Sequence, residues 1–301
     1  MSVVSTRRYV TVPVTTLWTS PTAPREVDAW AVASPPDVDA WLAAMDAAEA
    51  RLGLHGRALT QLELGEPVDI LELSADGRWL DVVAPLQPSS LDPRGYPGWL
   101  PADHVNAQPP NGSTLATTNN PAPESVSGPR KAGPLVAAPL EAGPVAAGPL
   151  LAGASAATFI AQARTHLGLP YLWGGMCDWG LDCSGLVHLS LRRLGVLFPR
   201  DADDQYDACE QIPAADARPG DLIFFAHEGK RPHHVGIVTG PGRMLHAPET
   251  GSLIIEEALS PARQKSLVGA GRVPALEVGK VSPLVTPAGF TETGPGTRGH
   301  R

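Results

Sequence analysis

Cys183 stands between Asp182 and Ser184-Gly185 and is followed by Leu186, Val187, Leu191 and Leu194. That spacing predicts a helix with one buried face. An aspartate just ahead of the first periodic residue is an N-cap, its carboxylate accepting the free N–H groups of the first turn. Cys183 is therefore placed in the first turn, where exposed amides and the helix dipole favour a thiolate. The thiolate is the nucleophilic form of cysteine, so a cysteine hydrolase would carry its nucleophile here. Taken alone, the position equally suits a small apolar cysteine buried at a helix start.

Two downstream pieces favour chemistry. His233-His234-Val235-Gly236-Ile237-Val238 reads as a strand and Met244-Leu245-His246-Ala247 as the next, joined by a turn at Gly240-Pro241-Gly242. A hairpin presents neighbouring side chains on one face. Cys183 as nucleophile, His234 as base and His246 as the group that orients it form the arrangement of a cysteine hydrolase. Any one of the nine histidines alone would be unremarkable; the ordered set is much more specific.

The same residues carry a resemblance. Tyr171-x-Trp173-Gly174-Gly175, Asp182-Cys183-Ser184-Gly185-Leu186-Val187, Pro219-Gly220-Asp221-Leu222-Ile223-Phe224-Phe225, His234-Val235-Gly236-Ile237 and His246-Ala247-Pro248 resemble the NlpC-type cysteine peptidases of bacterial peptidoglycan. The resemblance implies a papain-like fold and hydrolysis of the γ-D-glutamyl–diamino-acid bond in stem peptides, with no metal or organic cofactor. It also implies an oxyanion held by a backbone N–H beside the nucleophile and a side-chain donor. Tyr171 is positioned to supply the donor, and Trp173 to shape the groove wall. Asp182 and Ser184 match residues that relatives acting on soluble muropeptides use to bind a substrate ammonium. Relatives often have a serine where Ala202 stands, so one substrate hydrogen bond is missing. Arg200 is the nearest cation for a substrate carboxylate.

Stepping outward, the fold class expected is α+β: a papain-like domain of helices packed on an antiparallel sheet, preceded by a small all-β barrel. Val10-Thr11-Val12-Pro13-Val14, Trp30-Ala31-Val32, Pro67–Leu73 and Trp79–Val83 are strand-like, the last two joined by a turn at Ala75-Asp76-Gly77. Asp37 opens a helix expected to run through Trp41, Met45 and Leu52 to Gly53. Gly65-Glu66-Pro67-Val68, Trp79-Leu80-Asp81-Val82 and Gly95-Tyr96-Pro97-Gly98-Trp99 resemble a bacterial SH3-like domain. In two-domain relatives this barrel closes one end of the groove, and a glutamate and a tyrosine help hold the substrate's free amino terminus. Tyr96 matches that tyrosine; Glu66 is the candidate glutamate, with Glu63 its rival. Trp79 and Trp99 read as core.

The organisation expected is a barrel with a helical insertion over 9–106, a Pro/Gly/Ala-rich linker over 107–155, the peptidase domain over 156–275 and a tail over 276–301. A helix over Ala156–Leu167 opens the peptidase domain. The 301-residue chain carries 32 prolines, 31 glycines and a net charge of −8, which argues against nonspecific binding to nucleic acid or anionic membrane. Three cysteines give no disulfide framework and no Cys-x-x-Cys spacing. Met1–Leu17 has no apolar core of signal-peptide length, so a cytoplasmic monomer acting on free stem peptides is expected. Other readings are an exported endopeptidase remodelling intact wall, a papain-like amidase or acyltransferase, and a non-catalytic wall-binding protein. The intact Cys183, His234 and His246 speak against the last.

Overall fold

The computed structural model describes residues 7–46, 48–110 and 154–277. The N-terminal half contains β1 (Arg7–Val10), β2 (Val14–Trp18), α1 (Val38–Ala44), α2 (Ala48–Leu52), β3 (Ala58–Glu63), β4 (Pro67–Leu73), β5 (Trp79–Ala84), β6 (Tyr96–Pro101) and β7 (Val105–Asn106). Its strands form one sheet in the order β3-β2-β6-β5-β4-β1-β7. Alternating apolar residues fill the interior: Val10, Leu17, Leu62, Val68, Leu80, Val82 and Leu100 are buried together with Tyr96. The β4–β5 hairpin turns at Gly77, whose φ of +71° lies in the left-handed region that glycine enters without strain. This sheet-rich unit is consistent with an SH3-like domain.

Asp37 caps α1 as expected, its side chain accepting the Ala40 N–H at 2.9 Å. The expected single helix nevertheless breaks after Ala44. Met45 is fully buried and its carbonyl is taken by the Arg51 guanidinium at 2.9 Å, so the chain restarts as α2. Trp30-Ala31-Val32 is not a strand. Buried Asp28 draws in Arg25 at 2.7 Å and the Trp41 indole N–H at 2.9 Å, folding the segment into turns. Residues 11–13 likewise turn the chain between β1 and β2 instead of extending one strand.

The C-terminal half contains α3 (Ala156–Arg164), β8 (Met176–Cys177), β9 (Gly180–Leu181), α4 (Cys183–Arg193), α5 (Ala202–Ala208), β10 (Glu210–Ile212), β11 (Leu222–Phe225), β12 (His234–Gly240), β13 (Arg243–His246), β14 (Ile255–Ala258), α6 (Pro261–Ser266), β15 (Leu267–Arg272) and α7 (Pro274–Glu277). Six strands form an antiparallel sheet in the order β10-β15-β11-β12-β13-β14. Leu222 and Phe224 of β11 join Phe159, Leu186, Val187, Val235 and Ile237 on the face covered by α3 and α4. Ile223 and Phe225 point the other way, to Val238, Met244 and Ala270. Ser155 caps α3, which ends at Arg164, three residues before the expected stop.

One expectation needs enlarging. The spacing after Cys183 predicts one buried face, yet α4 is buried around its whole girth from Cys183 to Arg192. The N-terminal half covers the face that would otherwise be wet. Arg192 pairs with Glu66 at 2.7 Å, Arg193 with Glu63 at 2.8 Å, and Gln61 accepts the Met176 N–H at 3.1 Å. Leu172 and Cys177 pack in one cluster with Trp18, Trp41, Met45 and Leu54. Most of the expected linker and tail, 111–153 and 278–301, lies outside the described residues. No helix among the described residues is long and apolar enough to cross a membrane.

Candidate active site

The site begins with backbone. Asp182 is extended and caps α4, its Oδ1 accepting the Gly185 N–H at 2.6 Å. Its Oδ2 accepts the Gly174 N–H at 2.9 Å. Gly174 has φ +74°, and a Cβ there would sit 3.2 Å from the Leu59 carbonyl on β3. A side chain on Gly185 would collide with the Gly175 carbonyl. These glycines let three backbone segments converge on the start of α4, where Cys183 is held.

Cys183 is 7% exposed, with its own neighbour's amide, Ser184 N–H, and the Val235 N–H of β12 both reaching the sulfur. The residue before Val235 is His234, so α4 and β12 bring nucleophile and candidate base to one place. Burial pushes the thiol up to about 12 and the Asp182 charge adds to this, while the two amides and Arg200 oppose it. His234 is held well below the usual histidine range, chiefly by burial and then by His246, Arg263 and His233. Desolvation of the sulfur thus works against the thiolate, while the two amides and Arg200 favour it. Tyr171 lies beside Cys183, and burial pushes its ionisation far upward, so its hydroxyl stays a neutral donor.

The hairpin behaves as the sequence predicts. Ile237 pairs with Leu245, which sets His246 beside Gly236 and makes His234 its diagonal neighbour on the same face. His234 Nε2 and His246 Nδ1 are 2.8 Å apart. His246 Nε2 lies 3.1 Å from Glu257 Oε1 on β14, an acid absent from the expected site. The β13–β14 register pairs His246 with Ile255, so Glu257 is again a diagonal neighbour. The period-two rule could have flagged it, had the pairing of β14 been known.

The remaining candidates separate. Arg200 is 1% exposed and is no free anchor for a substrate carboxylate. It holds Asp182 at 3.0 and 2.8 Å, the Ser184 hydroxyl at 2.9 Å and Thr60 at 2.8 Å. Asp182 and Ser184 are therefore engaged within the protein and do not face a ligand with spare acceptors. Glu66 is 1% exposed and committed to Arg192, the Glu63 N–H and Gln87, near the far end of α4 from Cys183. It is a structural ion pair, not an ammonium ligand. Tyr96 does reach the site side of the interface, donating to Asp201 Oδ2 at 2.8 Å. Asp201, missed in the sequence, is raised to about 6, first by burial and further by Asp182 and Asp203, against Arg200 and Tyr96. Trp173 packs against the N-terminal half, its N–H donating to the Ala58 carbonyl at 3.0 Å and its ring lying 3.9 Å from that of His55. Ala202, where a serine was noted as missing, is buried at the start of α5.

Residues 168–272 match the model of the NlpC/P60 family. A protein of Bacillus subtilis (strain 168) named gamma-D-glutamyl-L-lysine dipeptidyl-peptidase is 35% identical over 80% of this chain and 90% of its own. The protein of that name from Bacillus cereus (strain ATCC 10987 / NRS 248) is 28% identical over 80% and 83%. The crystal structure of an NlpC/P60 family protein from Bacillus cereus ATCC 10987 superposes with a TM-score of 0.73 at 26% identity, covering 89% of this chain and 99% of that one. A nucleophile at a capped helix start, a histidine hairpin against it and relatives spanning both halves agree: this chain belongs to the NlpC/P60 family and is a cysteine peptidase.

Proposed function

We propose that the protein hydrolyses the γ-D-glutamyl–diamino-acid bond of peptidoglycan stem peptides that carry a free N-terminal L-Ala, in recycling of released wall peptides. Cys183 attacks the γ-glutamyl carbonyl as His234 takes its proton. The Cys183 amide and the Tyr171 hydroxyl hold the oxyanion. His234 then protonates the leaving amine, and water hydrolyses the thioester.

The observation that carries the free-amine reading is the Tyr96–Asp201 contact at 2.8 Å, made across the two halves beside the Asp182–Arg200 pair. Asp182 and Arg200 cancel, so Asp201 leaves this corner one negative charge that a substrate ammonium neutralises. An acylated amine brings no charge and leaves the carboxylate unpaired. A charge-assisted hydrogen bond is worth about 1.5–3 kcal/mol, and with the unpaired carboxylate this amounts to roughly a hundredfold discrimination. The full-length relatives named as dipeptidyl-peptidases support the same substrate class.

Mass spectrometry of digests of L-Ala-γ-D-Glu-L-Lys, its meso-diaminopimelate counterpart and the N-acetyl form of each tests this. The expected result is release of L-Ala-D-Glu from the free-amine peptides and almost none from the acetylated ones. Comparable rates on both forms would overturn the free-amine assignment.

A further inference from the structure

We propose that Glu257 is a positioning residue that fixes, through His246, which nitrogen of each histidine carries its proton. This rests on reading Cys183, His234 and His246 as the hydrolytic residues. An ionised carboxylate only accepts hydrogen bonds. At 3.1 Å from Glu257 Oε1, His246 Nε2 must therefore carry a proton, which leaves its Nδ1 a bare acceptor. That acceptor lies 2.8 Å from His234 Nε2, which must then be the donor. His234 Nδ1 is left bare and basic, the nitrogen available to the Cys183 thiol. The acid on β14 thus sets the state of the base on β12, two strands away.

Without the carboxylate, His246 Nε2 meets water, which donates as readily as it accepts. The opposite pair of tautomers becomes accessible, with a proton on His234 Nδ1 and no base for the thiol. Glu257 also supplies the counter-charge when His234 becomes an imidazolium. The other charged or titratable groups acting on the two rings are Arg263 on α6 and His233 beside β12, which oppose protonation. Glu256, next to Glu257, is committed to Arg164 at 3.0 Å.

The test uses full-length protein with Glu257→Ala and Glu257→Gln. Glutamine keeps an acceptor oxygen, loses the charge and adds an amide donor. Two-bond ¹⁵N–¹H correlations of the histidine rings are expected to show His246 protonated at Nε2 in wild type and a tautomer mixture in the alanine variant, with the glutamine variant, whose amide can accept or donate, between the two. With the free-amine tripeptide, Glu257→Ala is expected to lower kcat about tenfold or more at unchanged KM, the scale of partners that orient a working histidine. Glu257→Gln should fall between wild type and Glu257→Ala. In both variants the acid limb of kcat/KM moves to lower pH, because loss of a negative charge lowers the pKa of the base. A wild-type His246 protonated at Nδ1, or an alanine variant with unaltered tautomers and kcat, would overturn the proposal. If wild type leaves the tripeptide uncut, the assigned substrate falls, and the ring spectra still decide the role of Glu257.

Discussion

Arg200 grips Asp182 with two nitrogens, at 3.0 and 2.8 Å, while its Nε donates to Thr60 of the other half at 2.8 Å. The residue that caps the nucleophile's helix is thus tied to β3 by one buried cation. Breaking a buried pair from one side leaves a charge without compensation and costs about 3–5 kcal/mol. Arg200→Met is expected to lower the unfolding free energy by that amount in urea titrations. A loss under about 1 kcal/mol would mean Asp182 finds other compensation.

Cys183→Ala is expected to abolish hydrolysis with an unchanged circular dichroism spectrum. In a background with Cys177 and Cys209 replaced by serine, the thiol should alkylate with iodoacetamide ever faster as pH rises, with no plateau near neutrality. The sign follows from burial: a thiol pushed up to about 12 is mostly protonated at pH 7. A plateau at or below pH 7 would show that the site rests as thiolate and imidazolium instead.

Asp201 is raised to about 6, and it must be ionised to pair with an ammonium. The KM of the free-amine tripeptide is therefore expected to rise as pH falls through about 6, with the N-acetyl form insensitive over that range. Asp201→Asn should raise KM and remove the limb. A limb that persists in this variant belongs to another group.

Glu66 lies in the interface away from Cys183. Glu66→Ala strands buried Arg192 and is expected to cost about 3–5 kcal/mol of stability, with KM near wild type at temperatures where the variant is folded. A KM raised as far as by Asp201→Asn would return Glu66 to the substrate site.

Local rules made the centre of the site legible before the fold was known. The Asp182 cap, the α4 periodicity and the Gly240–Gly242 turn are each encoded within a few residues, and each placed its side chain. What was hidden depends on pairing across distance. Thr60 and Gln61 are buried and polar because they serve Arg200 and the backbone of β8, so β3 shows no clean alternation. Arg200 and Glu66 looked like exposed charges available to a ligand, yet each has a partner more than a hundred residues away in the chain. Glu257 was overlooked because its role depends on the register of β14.

The Leu59 carbonyl lies 3.2 Å from where a Gly174 Cβ would sit, and the Arg192–Glu66 and Arg193–Glu63 ion pairs and the Arg200–Thr60 hydrogen bond fasten the same seam. The halves are therefore clamped by their own surfaces.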